Sequence, residues 1–350
     1  MSRLSLPLES DRAGGPRRGP GLATGLIDTF GRRHSNLRIS VTDRCNLRCT
    51  YCMPEDVTFL PREELLRFEE IAAIAGVATS LGIDKIRLTG GEPLLRRDLP
   101  TLVGMLAPLP GLRDLSLTTN GILLADQAER LFSAGLRRLN VSLDTLDADR
   151  FRILARRDGL DRVIHGLMTA KQIGFRIKVN AVALRGFIEE DIVPLARFCR
   201  QHDFELRFIE SMPIGAEPWQ REQCVSATEL LTILSREVAP LTLADDADPQ
   251  APAQEFVYAD TAQRMGVIAS VTRPFCHQCN RLRLTAEGKL RNCLFALEEI
   301  DVRPFVRGAA IDESGLREAF ERSVASKWEG HAFNAAHFVK PTRTMHAIGG

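Results

Sequence analysis

The chain contains no apolar run of membrane-spanning length. It has no surplus of one charge either: 46 Lys and Arg stand against 45 Asp and Glu, a net of +1. The first absence gives no reason to expect a membrane partner. The second argues against bulk electrostatic capture of nucleic acid, while leaving room for a local basic pocket. No P-loop sequence is present to cradle a phosphate. There is no internal repeat and no coiled-coil heptad. The start is rich in Arg, Gly and Pro, carries Glu9 and Asp11, and lacks the apolar core of a signal peptide. Residues 1–34 are therefore expected to be a flexible tail on a cytoplasmic protein.

A fourth cysteine is missing too, twice over. Six of the eight cysteines fall into two triads, Cys45/Cys49/Cys52 and Cys276/Cys279/Cys293. Without a secretion signal, such clustering favours metal over disulfides. Cys199 and Cys224 stand alone and are read as buried or incidental. The first triad has the spacing C-x3-C-x2-C, which suits iron or zinc. A cubane cluster has four irons, so three thiolates leave one iron open to a substrate or cofactor. The second triad allows the same reading. It also allows a zinc site completed by His277, His331 or His337.

What is present is ordinary in bulk. With 350 residues, 44% hydrophobic and 26% charged, the chain can bury one large core or two smaller ones. Short apolar strands are expected at 37–42, 84–89, 114–118, 138–143, 175–183 and 204–210. Helical periodicity marks 62–80, 125–134, 161–172 and 189–201 between them. Gly82, Gly135 and Gly174 sit where helix C-caps belong. This alternation predicts parallel strands with crossover helices. Special residues gather at strand ends: the first triad after strand one, Thr89–Pro93 after strand two and Thr118–Gly121 after strand three. Ser142 ends strand four, Lys178 and Asn180 lie in strand five, and Met212 follows strand six. In a barrel these ends share one mouth, whereas an open sheet would gather only two or three of them. The expected fold is α/β: an incomplete (β/α)6 barrel at 35–212, then a smaller α+β region at 213–338 carrying the second triad. A tail at 339–350 ends in Gly349-Gly350. Strands near 254–258, 265–271 and 281–285 and helices near 226–237 and 316–326 are expected in the second region.

Gly90-Gly91-Glu92-Pro93 directly follows a strand, where paired glycines permit close backbone approaches that a Cβ would block. Between Cys279 and Cys293, Arg281 and Arg283 share one face of a strand and Leu282 and Leu284 the other. Guanidinium groups on one face suit a polyphosphate.

The run Cys-Asn-Leu-Arg-Cys-Thr-Tyr-Cys, with aromatic Tyr51 before its last cysteine, resembles the signature of the radical S-adenosylmethionine (SAM) enzymes. From about Asn36 to the C-terminus the chain is similar to one family among them, the GTP 3′,8-cyclases of molybdenum cofactor biosynthesis. The resemblance rests on Arg38–Cys52, Arg87–Arg97, Thr118–Gly121, Asn140–Asp144, Phe208–Gly215, Cys276–Cys293 and the terminal Gly349-Gly350. It implies two [4Fe-4S] clusters, the first chelating SAM and releasing a 5′-deoxyadenosyl radical, the second holding the guanine of GTP. It implies SAM contacts at Tyr51, Gly91, Ser142 and Met212. It implies GTP contacts at Arg38, Arg87, Thr118, Lys178, Arg281 and Arg283, with Gly349 and Gly350 assisting catalysis. An electron donor and a downstream cyclic pyranopterin monophosphate synthase are the implied partners, and a homodimer is compatible with it. The rival readings are a radical SAM peptide maturase with an auxiliary cluster, a ferredoxin-like carrier and a zinc-stabilised binding protein.

Overall fold

The computed structural model describes residues 25–214, 219–331, 333 and 338–349. Two short strands, β1 (Leu26–Ile27) and β2 (Arg33–His34), form an antiparallel hairpin. This corrects the expected tail at its inner end, because residues 25–34 are folded. Asp28 closes the hairpin, accepting from the Arg32 amide at 2.9 Å and from Arg32 Nε at 2.6 Å. Its Oδ2 also lies 3.0 Å from His34 Nε2. Leu26 and His34 are buried.

Six strands carry the barrel: β3 (Asn36–Ser40), β4 (Lys85–Thr89), β5 (Asp114–Thr119), β6 (Arg138–Ser142), β7 (Arg176–Ala183) and β8 (Glu205–Glu210). They pair in sequence order, all parallel. Strand alternation explains the layers. Leu37, Ile39, Ile86, Leu88, Leu117 and Val141 are fully buried in one core with Ile71, Ile74 and Leu102 of the covering helices. The intervening positions are polar and face inward.

The helix expected from 62 begins only at Phe68 and runs to Ser80. Glu70 sets that start by accepting from the Arg67 amide at 2.7 Å. Helices Leu99–Leu106 and Ala148–Ala155, not expected from the sequence, are short. Gly82 and Gly174 hold φ of +98° and +105° after their helices, as C-cap residues do.

The later strands are β9 (Leu241–Leu243), β10 (Gln254–Tyr258), β11 (Arg264–Ile268), β12 (Arg281–Leu284), β13 (Lys289–Arg291) and β14 (Ile300–Asp301). They do not form a sheet of their own. β11 pairs parallel with β8, and β12 pairs parallel with β3. The C-terminal region therefore extends the barrel sheet at both edges, in the order β14-β13-β12-β3-β4-β5-β6-β7-β8-β11-β10-β9. Joining β12 to β3 is what carries the second triad to the barrel interior. Among the described residues no helix is long and apolar enough to cross a membrane.

Candidate active site

All six triad cysteines line one cavity of about 290 Å³ within the sheet. The first triad sits in the loop after β3. That loop is held by the β4 turn: the Gly91 amide donates to Thr42 O at 2.8 Å and the Glu92 amide to Arg44 O at 2.7 Å. A Cβ on Gly90 would come within 2.5 Å of Thr42 O, and one on Gly91 within 2.5 Å of both Asp43 O and Arg44 O. Neither glycine is there for an unusual φ; each is there because two backbones meet. Glu92 then ties this turn to the end of β5, accepting from Leu94 N (2.9 Å), Thr119 Oγ1 (2.7 Å) and Asn120 N (2.7 Å). Burial raises its pKa to about 7 against those three donors.

The thiols themselves fit a metal cluster. Burial pushes Cys45 up to about 11 and Cys52 up to about 12, and it pushes Cys49 well above its usual range. Repulsion among the three sulfurs adds to this, so three thiolates here require a cationic group between them. Among the described residues no group of three Cys, His, Asp or Glu side chains is gathered closely enough for a single ion. A zinc site on the second triad would need one of three histidines beside it. His277 does not line the cavity, His331 does, and His337 lies outside the described residues. Cys279 behaves differently from the others. Burial raises its pKa, but Arg281 and Lys327 beside it outweigh that and bring it down to about 6.

Three arginines stand in one row across neighbouring strands. The parallel register places Arg283 of β12 beside Arg38 of β3, and Arg38 beside Arg87 of β4. All three line the cavity, as does Arg281. Adjacent strands lie about 4.8 Å apart, so like charges there repel. Burial first, then repulsion from Arg283 and Arg87, lowers the pKa of Arg38 well below the usual range, while burial and repulsion from Arg281 bring that of Arg283 to about 9. Burial and repulsion from Arg207 and Arg138 lower that of Arg87 to about 10. Among the described residues Arg38 Nε has no hydrogen-bond partner. Such a row has the chemistry of an anion site.

Tyr51, Gly91, Ser142, Met212 and Thr118 also line the cavity. Lys178, a GTP contact by the resemblance, is not among the lining residues. It is held at 2.6–2.7 Å by Glu205, below Asn180 on the same strand face. Arg207 takes the wall position instead, paired with Glu205 at 2.7 Å and Glu255 at 2.8 Å. The alternation Glu205-Leu-Arg207 was the available signal for it. Asp144 was missed as a separate site residue. It accepts from the Tyr51 hydroxyl at 2.7 Å and from Val182 N at 2.8 Å, fixing the aromatic ring of the first triad. Gly349 packs against Ser40 and Thr89, so that a Cβ on it would lie 2.5 Å from Thr89 Oγ1. Gly350 lies outside the described residues.

Two family models match the chain: the radical SAM superfamily over residues 39–199 and "Molybdenum Cofactor Synthesis C" over residues 204–333. A protein of Rhodopirellula baltica named GTP 3′,8-cyclase is 49% identical over 331 residues, covering 93% of this chain and 92% of its own. Relatives of the same name from Mycobacterium sp. and Streptomyces coelicolor are each 46% identical. They cover 100% and 93% of this chain, and 99% and 96% of their own. Among solved structures, Streptococcus suis SuiB bound to S-adenosylmethionine superposes with a TM-score of 0.55 at 16% identity. The match covers 81% of this chain and 68% of that one, a likeness of fold.

Proposed function

This chain belongs to the GTP 3′,8-cyclase family of the radical SAM superfamily, and from that premise we propose how its residues divide the work. The reaction converts GTP to (8S)-3′,8-cyclo-7,8-dihydroguanosine 5′-triphosphate, the first step of molybdenum cofactor biosynthesis. Family membership decides against the peptide maturase, carrier and zinc-protein alternatives.

Cys45, Cys49 and Cys52 hold a [4Fe-4S] cluster, and Cys276, Cys279 and Cys293 hold a second. Loaded there, the first cluster would supply the one-electron reduction that splits SAM and the second a Lewis-acidic site for the guanine. Tyr51, Gly91, Ser142 and Met212 seat SAM on the first-triad side. Arg38, Arg87, Arg281 and Arg283 bind the triphosphate, and Thr118 contacts the nucleotide between them. With SAM on the first-triad side and the triphosphate on the arginine row, the ribose would lie between the two triads, its 3′ hydrogen toward SAM. Lys178 acts through Glu205, which it shares with Arg207. Gly349, packed against Ser40 and Thr89, and the terminal Gly350 of the same motif keep abstraction at the 3′ position. The product then passes to a cyclic pyranopterin monophosphate synthase, and an external donor supplies the electron.

One observation carries this reading: two three-cysteine sets and a row of arginines line a single cavity. The test is anaerobic reconstitution followed by incubation with SAM, dithionite and GTP, with products read by mass spectrometry. Formation of 5′-deoxyadenosine without cyclised GTP would overturn the substrate assignment.

A further inference from the structure

The backbone around the second triad is held from behind by two buried cations, one from each end of the chain. Arg32, in the N-terminal hairpin, donates through Nη1 to Cys276 O at 2.7 Å and to Glu329 O at 2.6 Å. Its Nη2 donates to Trp328 O at 2.6 Å. Lys327 Nζ donates to Arg281 O at 2.8 Å and to Asn292 O at 2.5 Å. The segment 327–329 is thus fastened to backbone at Cys276, two residues after Cys279 and one residue before Cys293.

The two cations differ in how their charge is met. Arg32 has Asp28 at 2.6 Å. Lys327 is 5% exposed and, among the described residues, has hydrogen bonds only to neutral carbonyls. An ammonium buried without a counter-charge is costly. The sulfurs of Cys279 and Cys293 lie within its electrostatic reach. A group bound by three thiolates would supply the missing negative charge.

We propose that Arg32 and Lys327 are positioning residues of the second triad, and that Lys327 is the counter-charge of the group the triad holds. The inference rests on the second triad binding an iron–sulfur cluster. Neither side chain lines the cavity, so neither touches substrate. Arg32 sets where Cys276 stands by fixing its carbonyl. Lys327 sets the spacing between Cys279 and Cys293 by bridging the backbone between them. Its charge favours the more reduced, more negative state of the cluster. The hairpin at residues 26–34 thereby gains a role: it delivers Arg32 to a loop 244 residues away in sequence.

The experiment compares the full chain with Lys327→Met, Lys327→Arg and Arg32→Lys after anaerobic reconstitution. Iron, acid-labile sulfide, and the low-temperature electron paramagnetic resonance of the reduced protein are measured for each. Cluster signals are separated by using a Cys45→Ala/Cys49→Ala/Cys52→Ala chain as reference for the second cluster. SAM cleavage by the first cluster serves as the folding control. Lys327→Met should keep SAM cleavage. It should either lose about half its iron or retain the second cluster with a shifted resonance and a lower midpoint potential. Lys327→Arg should restore the wild-type signal, and Arg32→Lys should lower second-cluster occupancy. If Lys327→Met retains full iron and an unchanged second-cluster signal and potential, the positioning role is overturned. If the unaltered chain itself binds only one cluster, the premise about the second triad fails instead. Loss of SAM cleavage together with both clusters would make Lys327 a general folding residue and would also overturn the proposal.

Discussion

The Arg283 guanidinium donates through Nη1 to the carbonyl of Gly349, 66 residues along the chain. The same C-terminal segment directs the His346 amide at the Cys52 sulfur. A segment of a few residues thus touches a first-triad ligand at one end and the arginine row at the other. Arg283 is a docking point for the tail as well as a member of the anion site. Arg283→Ala should therefore weaken GTP binding about tenfold or more, the effect of losing a charged hydrogen bond worth roughly 1.5–3 kcal/mol. It should also reproduce part of the defect seen on deleting Gly349 and Gly350. Cyclisation should fall sharply in the deletion, with SAM binding and both clusters retained. In the combined variant the two losses should be less than additive. Full additivity in cyclisation rate would separate Arg283 from the tail.

The two triads should be separable by product. Replacing Cys45, Cys49 or Cys52 with Ala should abolish 5′-deoxyadenosine formation. Replacing Cys276, Cys279 or Cys293 should abolish GTP cyclisation and leave slow, uncoupled SAM cleavage. Chromatography of nucleosides after anaerobic turnover reads both outcomes. Normal cyclisation in any of the six variants would sink the assignment of that cysteine.

The row Arg283–Arg38–Arg87 gathers three guanidinium groups on neighbouring strands. Filling it with an anion should relieve repulsion as well as bind ligand. GTP, and inorganic triphosphate alone, should raise the melting temperature of the cluster-loaded protein. A ligand at about 100 times its Kd contributes about 2.7 kcal/mol. Arg87→Ala should lower GTP affinity about tenfold or more while leaving SAM affinity unchanged. Calorimetric titration at two salt concentrations should show weaker GTP binding at the higher one. Equal loss of both ligands would make Arg87 a structural residue.

The parts of this site that could be read from sequence are those encoded locally. The triad spacings, the Gly90-Gly91 turn and the strand-end positions of Ser142 and Met212 each lie within a few residues. Their meaning depends on period and spacing alone. Lys178 could not be placed this way, because its side chain is claimed by Glu205 from the next strand. The hairpin at 26–34 was hidden by an Arg- and Gly-rich composition. Its order comes from Asp28 and from partners at Cys276 and Trp328, far along the chain. The same holds for β11 and β12. Their sequences report strands but not the edges they join, and that choice places Arg283 beside Arg38.

His34 makes the hairpin sensitive to acid. Burial first, then the nearby charge of Lys327, lowers its pKa from 6.5 to about 4, against the pull of Asp28. The imidazole is therefore neutral in the folded chain near pH 5.5, while in the unfolded chain it takes up a proton as pH falls through 6.5. The unfolded state binds more protons in that window, so stability decreases with falling pH. The loss should be complete once the pH is below about 4, where the folded state is protonated as well. For this side chain the loss should be about 1–2 kcal/mol at pH 5.5 and approach about 3 kcal/mol near pH 4. Asp28, whose carboxyl is also lowered by His34 and Arg32 despite burial, adds a loss of the same sign at lower pH. Urea unfolding of the cluster-loaded chain at pH 7.5 and 5.5 should show the midpoint falling with pH. His34→Gln keeps a hydrogen-bond donor toward Asp28 but cannot titrate, so most of that fall should disappear in it. An equal fall in both proteins would place the acid sensitivity elsewhere.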